Sequence, residues 1–371
     1  MEEYLLLSQE NASPELRSLI NNGWRYAAHV LQPNGRLPLV GDTEAKDFAG
    51  SRSTFALPAI QDFFYSGSRG VKGLRPTSVD AVFPASGYAI FRDQWHGPDR
   101  FPDTVYLFFK CAHFSDYHRH DDDLQLILLA FGEEWLIDSG LFGYEEAHPI
   151  RRYMRSAAAH NSVIPPGVEA IRRLSKQHSP GSGILNHELT PSRSSVTAVS
   201  RMYPGFQIER QLEYHRPHRI TLRDTVRATG ATAQSPGGFR ILFHFPADKQ
   251  ITLRSESEVV VTASSGHQLK LVFQPAPHRI VQVTGELGRH PNLPGSWVSA
   301  RITQLAPSHC LELEFQDTDS ATSTLTLTPA GGRIGEAAES ACAPEEMPAR
   351  DQRFPQQSPP TTPHARENPG T

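Results

Sequence analysis

The strongest constraint on the fold is a long succession of short apolar or alternating segments, cut at close intervals by turn residues. Residues 87–93, 104–112, 124–131 and 134–138 are rich in aromatic and β-branched side chains, which favour a pleated, half-buried surface. The same texture continues through 195–202, 206–214, 218–227, 239–245, 250–254, 257–263, 268–273, 279–285, 297–303, 310–316 and 323–328. So many short strands with turns between them predict a mainly β chain built as a large antiparallel β-sandwich.

Helical periodicity is confined to the amino-terminal part. Ser13 can cap a helix, Pro14 suits its first position, and Pro33-Asn34-Gly35 ends it. Leu16, Leu19, Ile20, Trp24, Ala27 and Leu31 recur at helical spacing, which predicts one buried face over residues 13–31. Residues 2–12 fit the end of a preceding helix. Residues 36–85 carry many Gly, Pro and Ser and read as a connecting segment. From about residue 330 the pattern stops, and the Pro-, Glu- and Ser-rich stretch 331–371 is expected to be disordered. The expected organisation is therefore helical at 1–46, connecting at 47–85, sandwich at 86–330 and tail at 331–371.

Lys and Arg number 36 against 40 Asp and Glu, a net charge of −4, so the chain does not read as a nucleic-acid scaffold. No apolar run approaches the length of a membrane span. Three cysteines with no metal-site spacing exclude a disulfide framework. The acidic start Met1-Glu2-Glu3 lacks the positive charge of a secretory leader. The chain is thus expected either to stay inside the cell or to have its true start upstream.

The 17 histidines matter by position. In Tyr117-His118-Arg119-His120-Asp121-Asp122-Asp123, the two imidazoles are two residues apart and project to the same side of an extended chain. Asp138 ends an apolar strand, where a buried charge needs a partner, and His160-Asn161 follows. Imidazoles with one carboxylate suit zinc and other divalent metals. A surface accident in a histidine-rich chain is the competing explanation for the pair, and a solvated turn for the three aspartates. His120, Asp122 and His160 also match the order of the iron triad of non-haem oxygenases, which leaves His118 and Asp138 without a role.

The stretches HRHDDDLQLILLAFGEEWLIDSGLFGYE and RRYMRSAAAHNSV resemble the signature of the heparinase II/III carboxy-terminal domain. PNGRLPLVGD resembles the exit from that family's helical toroid, and FPASGYAIFRDQW resembles the first sandwich strands. QLEYHRPHRITLRDTV and Phe243-His244-Phe245-Pro246 resemble later ones, so the likeness runs over residues 14–328. It implies cleavage of acidic, uronic-acid-containing polysaccharides by β-elimination. It also implies a catalytic role for His118, a structural zinc on His120, Asp138 and His160, and substrate contacts from Tyr144, Tyr153 and Arg155. Arg151 and Arg152 lie on the same segment, where a guanidinium suits a carboxylate or sulfate. The resemblance implies a periplasmic or cell-envelope setting. The family's proton-transferring Tyr and its carboxylate-neutralising Asn come from the toroid, of which only one or two helices have counterparts here. A weak or inactive lyase is therefore expected, or a glycan-binding sandwich without catalysis.

Overall fold

The computed structural model describes residues 13–47, 58–112, 118–170, 181–230, 237–290 and 293–332. The expected helix within 2–12 and nearly all of the tail lie outside these residues. Helix α1 spans Pro14–Val30, with Leu16 N–H donating to the Ser13 hydroxyl at 3.3 Å. A second helix, α2, spans Pro58–Gly67, inside the segment expected to be a plain connection. It is tied to α1 by Trp24 against Phe63, ring centroids 5.5 Å apart. It also carries Tyr65 into a small cluster with Trp95 and Phe101.

Three antiparallel sheets follow. The first is a meander of β1 (Ala81–Phe83), β2 (Tyr88–Arg92), β3 (Tyr106–Lys110), β4 (Gln125–Ala130) and β5 (Glu133–Leu136). The largest has eight strands. It contains β7 (Gly183–Leu189), β8 (Arg193–Ser200), β9 (Phe206–His215), β10 (Arg219–Ala228), β12 (Gln250–Ser255), β13 (Glu258–Thr262), β14 (Gln268–Gln274) and β20 (Ser320–Thr328). Its spatial order is β12-β13-β14-β20-β10-β9-β8-β7. The third contains β6 (Val163–Ile164), β11 (Gly238–Pro246), β15 (Arg279–Thr284) and β19 (Gln304–Gln316), with β18 (Trp297–Arg301) also pairing with β19. A two-stranded ribbon, β16 (Glu286–His290) and β17 (Leu293–Gly295), completes the set among the described residues.

One apolar core joins the three sheets: Phe91, Leu107, Phe109, Leu126 and Leu128 from the first, Ile208, Leu212 and Leu222 from the second, and Phe243, Leu311 and Leu313 from the third. The alternate residues of the first sheet, Ile90, Tyr106, Phe108, Ile127 and Leu129, pack with Val30 and Tyr26 of α1. Strands covered on both faces have no reason to alternate, which is why YLFF of β3 and LILLA of β4 read as unbroken apolar runs.

The end of α1 is docked by two buried side chains. The Arg92 guanidinium donates to the carbonyls of His29 and Leu31, and the Tyr106 hydroxyl donates to the Val30 carbonyl at 2.7 Å. These carbonyls have no partner inside the helix, and a cation is favoured at its negative end. The expected buried face is only half realised. Leu16 and Leu19 are exposed, because among the described residues nothing covers the first two turns.

His29 sits in this junction, buried against Trp95, with Nδ1 lacking a partner among the described residues. Burial first, then Arg92 and Arg25, push its pKa down from 6.5 to about 3. The unfolded chain takes up this proton below 6.5 and the fold refuses it, so the junction is fully stable above 6.5 and loses stability as pH falls toward 3. Between pH 7 and pH 5, urea unfolding of the native chain should lose about 2 kcal/mol more than that of a His29→Gln chain. Equal losses would show that the ring is protonated in place.

Candidate functional site

Four segments converge at one end of the first sheet: the turn leading into β4, the end of β5, the residues before β6, and Gly41-Asp42 from the stretch after α1. Helix α3 (Pro149–Arg155) and a 3-10 turn at Ala157–Ala159 deliver His160. Asn161 fixes this convergence. Its side-chain amide donates to the carbonyls of Leu126 at 2.6 Å and Ile137 at 2.9 Å, and its oxygen accepts from His244 N–H at 2.6 Å. Gln125 repeats the pattern, accepting from Asn161 N–H at 2.6 Å and donating to Asp138 at 2.7 Å.

His120, Asp138 and His160 are all buried, and each offers a ligand atom within 4.8 Å of the others. His160 Nδ1 lies 3.0 Å from Asp138 Oδ2, and Asp138 Oδ1 accepts from Gly140 N–H at 2.9 Å. Among the described residues, His120 Nδ1 and His160 Nε2 are buried with no hydrogen-bond partner. Two such orphaned nitrogens beside a carboxylate suit a divalent cation, which neutral imidazoles and carboxylate bind readily. Burial pulls the His120 pKa down, and the neighbouring His160 adds to this, while the Asp42 bond opposes it. Burial also works against the His160 cation, but Asp138 and Asp122 overcome it and raise that pKa.

Asp122 is not part of the gathered set. It pairs with the buried Lys110, which, against the cost of burial, holds the carboxyl down at about 2. The His120-Asp122-His160 order permitted by the sequence is thus not the group that comes together.

His118 stands beside this cluster with its side chain 66% exposed. Its Nδ1 is 3.0 Å from Asp42 Oδ2, and Asp42 Oδ1 is 2.9 Å from His120 Nε2. Arg151 clasps the same carboxylate with both terminal nitrogens and also reaches Glu146. Burial would raise the Asp42 pKa, but His120 and Arg151 outweigh it and hold the carboxyl far below the usual range. Sequence reasoning passed over Asp42, which lies 76 residues before His118. The neighbouring Gly41 has a positive φ and packs so closely that a Cβ there would meet the His118 carbonyl at 2.6 Å, a relation that exists only in the folded chain.

The expected substrate contacts divide. Tyr144 is exposed, its ring 6.1 Å from that of His118 and under the Arg151 guanidinium. Arg155 is half-buried and donates to Glu146 and to the Arg119 carbonyl. Tyr153 is fully buried, its hydroxyl accepting from Ser296 N–H at 2.9 Å. The periodicity of α3 turns that ring into a cluster with Ile150 and Met154, so it offers no face to a ligand, contrary to the expectation.

Solved structures share this fold. They include a heparinase III, the BT4657 gene product (15% identity, TM-score 0.68, 85% of this chain against 47% of that one). The heparan sulfate lyase HepC from Pedobacter heparinus aligns at 17% identity and TM-score 0.67, over 82% of this chain and 46% of that one. Another heparinase III aligns at 12% identity and TM-score 0.65, over 86% and 50%. The chain spans about half the length of these structures. No curated protein matches it significantly. The family described as heparinase II/III-like, C-terminal, matches residues 75–328, more than half of the sequence, and the chain belongs to that family.

Proposed function

We propose that this chain supplies the histidine- and metal-bearing face of a lyase that cleaves uronic-acid-containing glycans by β-elimination, in a periplasmic or cell-envelope setting. The observation that carries this reading is His118: an exposed imidazole, anchored through Nδ1, directly beside a buried three-ligand cluster.

In the elimination, the C5–H bond of the uronic acid breaks, its electrons form a C4=C5 double bond, and the C4–O4 bond breaks. The C5 proton becomes acidic enough only when the adjacent carboxylate is neutralised. The reaction therefore needs a base for C5, an acid for O4 and a cationic or hydrogen-bonding partner for the carboxylate. With Nδ1 held by Asp42, His118 offers Nε2 for proton transfer or for a hydrogen bond at the reacting sugar. Tyr144 offers a ring and a hydroxyl to the same space, and Arg155 adds positive charge behind them. His120, Asp138 and His160 would hold zinc, whose part is to bind the three segments that carry His118. The remaining proton-transfer groups would come from a helical domain, so this chain alone should be a poor catalyst.

The test is binding and turnover on alginate, heparan sulfate and hyaluronan. Saturable binding of one of them, weakened by Tyr144→Ala, is expected, and any ultraviolet absorbance of unsaturated product should vanish in His118→Ala. Failure to bind any uronic-acid glycan would sink the proposal, as would turnover that survives loss of His118. Robust turnover by the wild-type chain would refute the need for a helical partner.

A further inference from the structure

We infer that Asp42 is a positioning residue that sets the tautomers of two functional imidazoles at once. It directs His118 Nε2 outward to substrate and His120 Nδ1 inward to the cation site. The inference deepens the lyase reading and rests on it for the roles of the two rings, but its geometry stands apart.

Three contacts hold Asp42 in place independently. Its amide donates to the His118 carbonyl at 3.1 Å, on the segment where Gly41 packs against that same carbonyl. Arg151, itself buried, faces both carboxylate oxygens, so the group is paired rather than left as an isolated buried charge. Each oxygen also meets one imidazole: Oδ2 the Nδ1 of His118 and Oδ1 the Nε2 of His120.

A carboxylate paired with a guanidinium is an acceptor only. Each facing ring nitrogen must therefore carry the proton, and the opposite nitrogen must carry the lone pair. For His120 that opposite nitrogen is Nδ1, the buried atom with no partner among the described residues. For His118 it is Nε2, on a ring whose side chain is two-thirds exposed. The Nδ1–H form is the less favoured one for a free imidazole, so its presence at His118 would report the bond to Asp42. A carboxylate behind a ligating imidazole fixes both ring orientation and donor strength, and its loss typically costs 10–100-fold in metal affinity. Asp42 follows α1 in the chain, so its side chain links the segment after that helix to both rings.

The test is long-range proton–nitrogen correlation on 15N-histidine-labelled chain, at a pH where both rings are neutral, with zinc chloride titration against a chelator alongside. The wild-type spectrum should show His118 as Nδ1–H and His120 as Nε2–H. In Asp42→Asn, His118 should revert to Nε2–H, and zinc affinity should fall by about 10–100-fold. His118 found as Nε2–H in the wild type, or unchanged in Asp42→Asn, overturns the inference. The wild-type spectrum is decisive by itself should the variant fail to fold. A chain with the expected tautomers that takes up no zinc would sustain the role of Asp42 while removing the metal reading.

Discussion

Replacing Arg210 with methionine should cost about 3–5 kcal/mol of folding stability, although the residue is fully buried and lies outside the proposed metal site. Arg210 on β9 lies directly opposite Asp224 on β10, and both are fully buried in the sandwich interior. The guanidinium meets the carboxylate through two bonds, at 2.6 Å and 3.0 Å. Its third nitrogen donates to the carbonyls of Leu124 at 2.7 Å and Asn161 at 2.9 Å. Removing it strands a carboxylate in an apolar core and leaves two buried carbonyls short of a donor. Converting both partners, Arg210→Met with Asp224→Leu, should recover most of the loss, because a well-packed apolar pair can replace a buried ion pair. The double variant would still lack the bonds to Leu124 and Asn161, the residues flanking the two ends of the site. It should therefore fold and bind cation more weakly. Urea unfolding of the single and double variants measures the first effect. A single variant within about 1 kcal/mol of the native chain would show that Arg210 is not the anchor described.

Arg210 and Asp224 also show what the sequence holds and what a reader takes from it. In IERQLEY the alternation that puts Ile208, Leu212 and Tyr214 inside puts Arg210 there too, and in ITLRDTV the same rule buries Asp224. Two adjacent strands, each with one charge on its apolar face, announce a buried pair. The strands were legible because a two-residue period maps onto one face of a sheet. Elements held by other means were not. Strand β7 is mostly exposed and exists through its pairing with β8, so it has no apolar pattern to read. Helix α3 is only seven residues long and is stabilised by burying Ile150, Tyr153 and Met154, too few to establish a period. Helix α2 lies within a Gly- and Ser-rich stretch, and the rings that hold it come from distant segments.

The site divides along the same line. The gathering of His120, Asp138 and His160 was legible because residue type, local spacing and the family signature coincide there. Asp42 could not, because nothing local marks a carboxylate that meets its partners only after the chain has folded. Tyr153 misled for a related reason: it lies in the signature stretch, but α3 is a helix, and its period turns that ring inward.

The proposed cation site should have an effect on stability comparable to that of the Arg210 pair and should be all-or-none in composition. A cation bound by the fold and not by the unfolded chain stabilises by about 4.1 kcal/mol at a thousand times its Kd. Zinc should therefore raise the melting temperature of the native chain and leave that of an Asp138→Ala chain unmoved. His118→Ala should respond like the native chain, since His118 turns away from the cluster. The most direct measurement is elemental analysis of the chain after zinc loading and dialysis against a weak chelator. The native chain and His118→Ala should each retain one zinc, and Asp138→Ala and His160→Ala close to none. A native chain that comes out metal-free, or alanine variants that keep their zinc, would contradict the claim that positions 120, 138 and 160 hold one cation.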